Sequence, residues 1–263
     1  MRLRNIPSAR QELDQSPYVI KEECYSQLHG NWARVFGNDN PVRIEIGMGK
    51  GQFLLELAGR NPEMNYVGIE RYSSVLVHPV RRLAAAQQKG AVILGNGSGQ
   101  ETGNEAVREG GLDTAPCMER KLDMPAERAV KNILLLRMDA EQVTNLFDRG
   151  EVERIYLNFS DPWPKDRHAR RRLPGRTFLK RYAQILAPEG QVEFKTDNRN
   201  LFDFAIDEAR AAGWAVNACT YDLHHDPVLN EGNIMTEYEK RFSEKGNPIC
   251  KLIITPPLSD AAV

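Results

Sequence analysis

Long apolar runs are missing from this chain: none approaches the roughly 20 residues that a helix needs to cross a bilayer. The opening stretch, MRLRNIPSARQELDQ, carries basic residues with no apolar core behind them, which argues against a secretory leader. Cysteine is scarce: the four present (Cys24, Cys117, Cys219 and Cys250) are scattered and form no C-x-x-C pair. That spacing argues against a zinc ribbon or a disulfide framework and makes a reducing cytoplasm the expected setting. No P-loop and no internal repeat is present. His224 and His225 are adjacent, but no third ligand stands at a useful spacing, so they are expected to be surface histidines and no metal is expected.

What is there suffices for a large packed core. The chain has 263 residues, 41% of them hydrophobic and 27% charged, an ordinary soluble composition. Its formal net charge of −1 hides an asymmetry. Between Lys165 and Arg181 eight Lys or Arg face one acid, Asp166, so a basic patch sits on an otherwise acidic body. Such a patch fits a phosphate-rich partner engaged at one face.

Short β-branched apolar runs alternate with helical patterns. Val42 to Gly47, Met64 to Glu70, Asn132 to Ala140, Glu153 to Ser160 and Gly190 to Asp197 read as strands. Lys50 to Arg60 and Ser73 to Lys89 read as helices between them. Trp214 to Leu223 and Pro248 to Thr255 add two strands with no clear helix between, suited to antiparallel closure. The pattern predicts an α/β fold, a mostly parallel seven-stranded sheet with helices on both faces. A single domain over 1–263 is expected, with an N-terminal extension over 1–40. A Gly-, Glu-, Asn- and Arg-rich segment over about 95–128 is expected to be a surface insertion.

Three motifs carry chemistry. Glu45-Ile-Gly47-Met-Gly49-Lys-Gly51 ends the first predicted strand and opens a helix, where glycines let the backbone turn sharply and approach a ligand. Gln52 stands where a dinucleotide fingerprint needs glycine or alanine, which disfavours a nicotinamide enzyme. Glu70 and Asp139 end the next two strands, so three carboxylates meet at one sheet edge. The second motif, Asn158-Phe-Ser-Asp161-Pro-Trp163-Pro-Lys165, sets a carboxylate and an aromatic ring in a proline-stiffened turn. Pre-proline sterics favour extended backbone at Asp161 and Trp163. Trp163 either stacks on a base or fills the core. Five cations in the eight residues from Lys165 to Arg172 follow, too unbalanced for salt-bridge decoration. The third motif pairs Lys195-Thr-Asp197-Asn198 at the fifth strand end with Thr236-Glu237-Tyr238-Glu239; polar clusters at strand ends more often serve ligands than cores.

The G-x-G-x-G loop with an acid two residues ahead resembles the first motif of class I S-adenosylmethionine-dependent methyltransferases. Taken with NYVGIE, RMDA, YLNFSDPWPKDRHARRR, FKTDN and TEYE, the chain resembles the bacterial tRNA (guanine-N7-)-methyltransferases from about Arg2 to Pro248, the insertion excepted. The resemblance implies a Rossmann-like methyltransferase fold and S-adenosyl-L-methionine as cofactor. It implies tRNA as partner, no membrane, a cytoplasmic monomer or homodimer, and methylation at N7 of a guanine in the variable loop. It gives Glu45, Gly47, Gly49, Gly51, Glu70, Asp139 and Asp161 to the cofactor, with Asp161 also catalytic. It gives Lys165, Asp197, Thr236, Glu237, Tyr238 and Glu239 to the substrate, and Arg167, His168, Arg170, Arg171 and Arg172 to the RNA backbone. Two rivals are a non-catalytic RNA-binding module on the same fold and an N6-adenine methyltransferase, whose acidic Pro-Pro-aromatic motif is broken here by Trp163.

Overall fold

A computed structural model of the chain describes residues 5–88 and 128–257. The expected insertion therefore lies outside the described residues except for Arg128, which is buried and donates to the Ile133 carbonyl over 3.3 Å.

The elements follow in chain order: α1 (Ala9–Gln15), β1 (Val19–Ile20), α2 (Trp32–Phe36), β2 (Val42–Ile46), α3 (Gln52–Arg60), β3 (Asn65–Glu70), α4 (Ser73–Gln88) and β4 (Ile133–Arg137). Then come β5 (Val152–Asn158), α5 (Arg176–Ile185), β6 (Leu186–Thr196), α6 (Arg199–Ala211), β7 (Ala215–Thr220), α7 (Glu237–Ser243) and β8 (Cys250–Thr255). They build one sheet in the order β1-β4-β3-β2-β5-β6-β8-β7. Strands β1 to β6 pair in parallel, and β8 runs antiparallel to both β6 and β7.

The sheet has eight strands, not seven. The extra strand is Val19–Ile20, whose two residues pair with Leu135 and Leu136 at the sheet edge, a run too short to leave a periodic signal. The last two strands close the sheet as expected, but a helix does lie between them. It is α7, seven residues opened by a capping box in which Thr236 and Glu239 satisfy each other's backbone N–H groups.

Strand periodicity sorts the core to two faces. On one face Ile44, Ile46, Val67, Ile69, Leu134, Leu136, Ile155 and Leu157 pack under α2, α5 and α6. On the other, Tyr66, Ile133 and Leu135 pack under α1, α3 and α4. Trp32 and Tyr18 are buried, so the segment before residue 40 packs into the sheet's core. Strand β2 lies between β3 and β5, where the chain's winding reverses, and open α/β sheets bind ligands at that crevice.

Candidate active site

At the carboxyl end of β2 the chain turns through Gly47, Gly49 and Gly51, with φ of 75°, 58° and 72°. The turn needs glycine most strictly at Gly51. A Cβ there would fall 2.6 Å from the Met48 Cε and 2.8 Å from the Pro79 Cβ, so the loop passes hard against α4. Glu70 ends β3 and fixes the loop's height: its Oε2 accepts from the Gly49 N–H over 3.2 Å, and its Oε1 from the Tyr72 N–H over 2.9 Å. Burial pushes the Glu70 carboxyl upward, opposed by those backbone donors. Asp139 follows β4. It caps the next turn by accepting from the Glu141 N–H over 3.0 Å and pairs with Arg71 over 3.1 Å.

Because β2, β5 and β6 are neighbours, alternation places Glu45, Asn158 and Lys195 on one face, opposite the apolar set that includes Ile46, Leu157 and Phe194. Asn158 and Lys195 are direct register partners. With Glu70 on β3, a row of polar side chains crosses four adjacent strands, every member buried. Asn158 Nδ2 donates to Glu45 Oε1 over 2.8 Å, while Glu45 Oε2 has no hydrogen-bond partner among the described residues. Burial pushes the Glu45 carboxyl up to about 8, only partly offset by Asn158 and the Lys195 charge. At neutral pH it holds a proton unless a cation or a further donor meets that second oxygen.

Lys195 ends the row. Its Nζ donates to Glu239 Oε2 over 2.6 Å and to the Ile234 carbonyl over 2.9 Å, and it stands 5.1 Å from the Phe53 ring centroid. Glu239 is fully buried and also accepts from Asn233 Nδ2 over 2.9 Å, with His224 Nε2 3.0 Å away. Lys195 and these donors hold its carboxyl below the usual range despite burial. Glu239, expected at the substrate, thus spends its oxygens inside the protein, anchoring the 224–239 segment to β6. Glu237 pairs outward with Arg82 on α4 and, over 3.5 Å, with Lys50 in the glycine loop. Tyr238 is 41% exposed and donates to Asp197 Oδ2 over 3.2 Å. Of the TEYE motif, Glu237 and Tyr238 are both exposed, and Tyr238 is the one tied to the end of β6 through Asp197.

Asp161 is exposed after β5, between two residues with left-handed backbone, Phe159 (φ 53°) and Trp163 (φ 42°). The extended backbone expected at Trp163 is therefore overturned. Arg172 explains why: its guanidinium donates to the Pro162 carbonyl over 3.1 Å and to the Trp163 carbonyl over 3.0 Å, holding the turn folded back. Its other side lies 4.5 Å from the Phe204 ring centroid. Strain of about 1–3 kcal/mol per such residue persists only where surrounding contacts impose it, and such residues cluster at working sites. Trp163 is half-buried, with Arg171 4.9 Å over its ring and His168 edge-on at 5.7 Å. It is not a core residue. Lys165, Arg167, Arg170 and Arg171 are exposed on and beside the 3-10 turn Asp166–Arg171, and none pairs with an acid among the described residues.

Asn158 and Lys195 fall in motifs at strand ends in the sequence reading, which gives neither a role in the site. The available signal was a polar residue on the inward-alternating face of an otherwise apolar buried strand.

Comparison with known proteins accords with this geometry. A family model described as a putative methyltransferase matches residues 39–252. The tRNA (guanine-N(7)-)-methyltransferase of Lachnoclostridium phytofermentans is 46% identical over 96% of this chain and 97% of its own length. That of a Geobacillus species is 40% identical over 98% and 96%. The chain belongs to the tRNA (guanine-N(7)-)-methyltransferase family. Among solved structures, the 16S rRNA methyltransferase KamB superposes with a TM-score of 0.53 at 14% identity, covering 87% of this chain and 94% of its own. At that identity the likeness is one of fold, a class I methyltransferase sheet.

The methyltransferase cofactor, S-adenosylmethionine, offers an amino-acid end, a ribose diol and an adenine, and the residues fit it. The unpartnered buried oxygen of Glu45 suits an ammonium donor. Glu70, ending β3, and Asp139, just beyond β4, have lone pairs to spare for hydroxyl and amino donors. Among the described residues no group of His, Cys, Asp or Glu is placed to hold a metal ion, and no helix is long and apolar enough to cross a membrane.

Proposed function

We propose that this protein methylates N7 of a guanine in the tRNA variable loop, with Asp161 as the catalytic carboxylate. The observation that carries this reading is Asp161 itself: an exposed acid two residues from each of two strained aromatic positions, followed from Lys165 on by cations that pair with no acid among the described residues. The tRNA (guanine-N(7)-)-methyltransferase relatives support the substrate.

The mechanism follows from the acceptor. Guanine N7 has an in-plane lone pair and no proton at neutral pH, so attack needs no prior general base. S-adenosylmethionine, when bound, supplies an electrophilic methyl group on a sulfonium. The protein's task is positioning, which can contribute several kcal/mol. Glu45 would hold the amino-acid end, Glu70 the ribose and Asp139 the adenine, on a loop that Glu70 already stiffens. Asp161 would accept from the guanine N1–H and exocyclic amine, selecting that base. It would also favour the positive charge that the purine gains. Tyr238, tied to Asp197, and Trp163, carrying Arg171, would bound the base and its phosphates. Lys165, Arg167, Arg170 and Arg171 would meet the RNA backbone, while Arg172 holds the turn.

One assay tests the whole reading: purified protein, labelled S-adenosylmethionine, and tRNA with or without the variable-loop guanine. Transfer is expected only to the first RNA. Transfer to both, or to neither, rejects the proposal.

A further inference from the structure

The two left-handed residues flanking Asp161 each lead to a cationic element. Downstream, the Trp163 ring carries Arg171 of the arm already described. Upstream, the Phe159 ring lies 4.9 Å from Tyr238, and Tyr238 stacks on Phe242 with centroids 4.1 Å apart and planes 21° from parallel. Two cations rest against that last ring: Arg241 at 5.8 Å and Lys245 at 5.2 Å from its centroid. Lys240 is exposed beside them. From Lys240 to Asn247 the chain presents three cations and one acid, Glu244, and none of the three cations pairs with an acid among the described residues.

A polar protein surface ordinarily disperses such charges among acids, as happens elsewhere on this molecule at Arg81–Glu12 and Arg176–Glu208. Here an aromatic ladder runs from Phe159, two residues before Asp161, out to Phe242, where Arg241 and Lys245 rest with no acid against them among the described residues. We infer that Lys240, Arg241 and Lys245, on α7 and just beyond it, form a second contact for the RNA backbone, joined to Asp161 through Phe159 as the first arm is joined through Trp163. The target nucleotide is then held by phosphate contacts from two elements far apart in sequence. One element would tether a strand; two fix its register at Asp161. Stacked rings beside a basic groove are the usual means of holding a single strand, which a variable loop provides.

This inference rests on tRNA being the substrate, and its test separates the two. Binding of unmodified tRNA is measured as a function of salt for the wild-type protein, for Lys240→Gln/Arg241→Gln/Lys245→Gln, and for a control with equal charge loss elsewhere, Arg10→Gln/Arg34→Gln/Lys131→Gln. Thermal unfolding checks that all three are folded. The α7 variant is expected to bind roughly tenfold or more weakly near physiological salt, with a salt slope shallower by about 2; the control should stay within about twofold. Affinity and slope equal to wild type, or an equal loss in the control, overturn the inference. Wild-type protein that binds tRNA through α7 yet transfers no methyl group would reject the enzymatic reading and leave this surface standing.

Discussion

Asn158 Nδ2 donates to Glu45 Oε1 over 2.8 Å, across 113 residues of sequence, and leaves the other Glu45 oxygen buried without a partner. The carboxyl at the centre of the sheet is therefore half-satisfied, and its proton is held up to about pH 8 against an ordinary value of 4.5.

That shift has a sign. The folded protein binds this proton more tightly than the unfolded chain, so Glu45's contribution to stability is whole below about pH 4.5. It declines as pH rises and levels off above about 8. Differential scanning calorimetry between those limits should show Glu45→Gln with a flatter decline than wild type. Saturating S-adenosylmethionine should flatten the wild-type curve, because a cation at Oε2 favours the carboxylate. Parallel curves for wild type and variant would reject the assignment.

Replacing Asp161 with Asn keeps the shape of the turn and removes the charge. Single-turnover methylation at saturating tRNA and S-adenosylmethionine should slow about 10²-fold, the usual loss when one group aimed at developing charge is removed. An undiminished rate would mean that the carboxylate only shapes the turn.

Lys195 and Glu239 are 4% and 0% exposed, so each leaves a costly charge behind when the other goes. Urea unfolding should place Lys195→Met and Glu239→Gln each about 3–5 kcal/mol below wild type. The double variant should lose much less than the sum. Additive losses would show that the pair is not coupled. The lowered Glu239 carboxyl adds a pH dependence of opposite sign to that of Glu45: its contribution is present above the ordinary carboxylate range and lost as pH falls through its depressed value.

Arg171 and Arg172 are neighbours with different duties. Arg172 grips two carbonyls of the strained turn; Arg171 lies over the Trp163 ring with no acid against it among the described residues. Arg172→Lys should cut the methylation rate about tenfold while leaving the salt slope of tRNA binding intact, since lysine cannot reproduce the fork. Arg171→Gln should reduce the slope by about 0.7 to 0.9. Identical effects from the two changes would dissolve this division.

Much of this was legible in the chain. The short apolar runs in Val42–Ile46, Asn65–Glu70 and Val152–Asn158 marked buried strands, because a parallel sheet covered on both faces leaves its strands mostly apolar. The glycine loop announced its turn by composition. What escaped depended on register and long-range packing. Nothing near Lys195 says that Asn158 will lie directly opposite or that Glu239 will be its buried counter-ion. Trp163 obeyed a tertiary clamp from Arg172 rather than the local preference before a proline. Val19–Ile20 became a strand because Leu135 and Leu136 offered an open edge.

The polar row also constrains the order in which the molecule can be completed. As the chain is synthesised, the glycine loop and Glu45 emerge long before Asn158, and Lys195 emerges 44 residues before Glu239. A nascent chain ending before α7 would have to bury an ammonium with no counter-ion or leave the end of β6 open. The end of β6 can therefore close only after Glu239 has been synthesised, and a chain terminated just before Thr236, which also lacks α7 and β8, should unfold at a markedly lower temperature than the full chain.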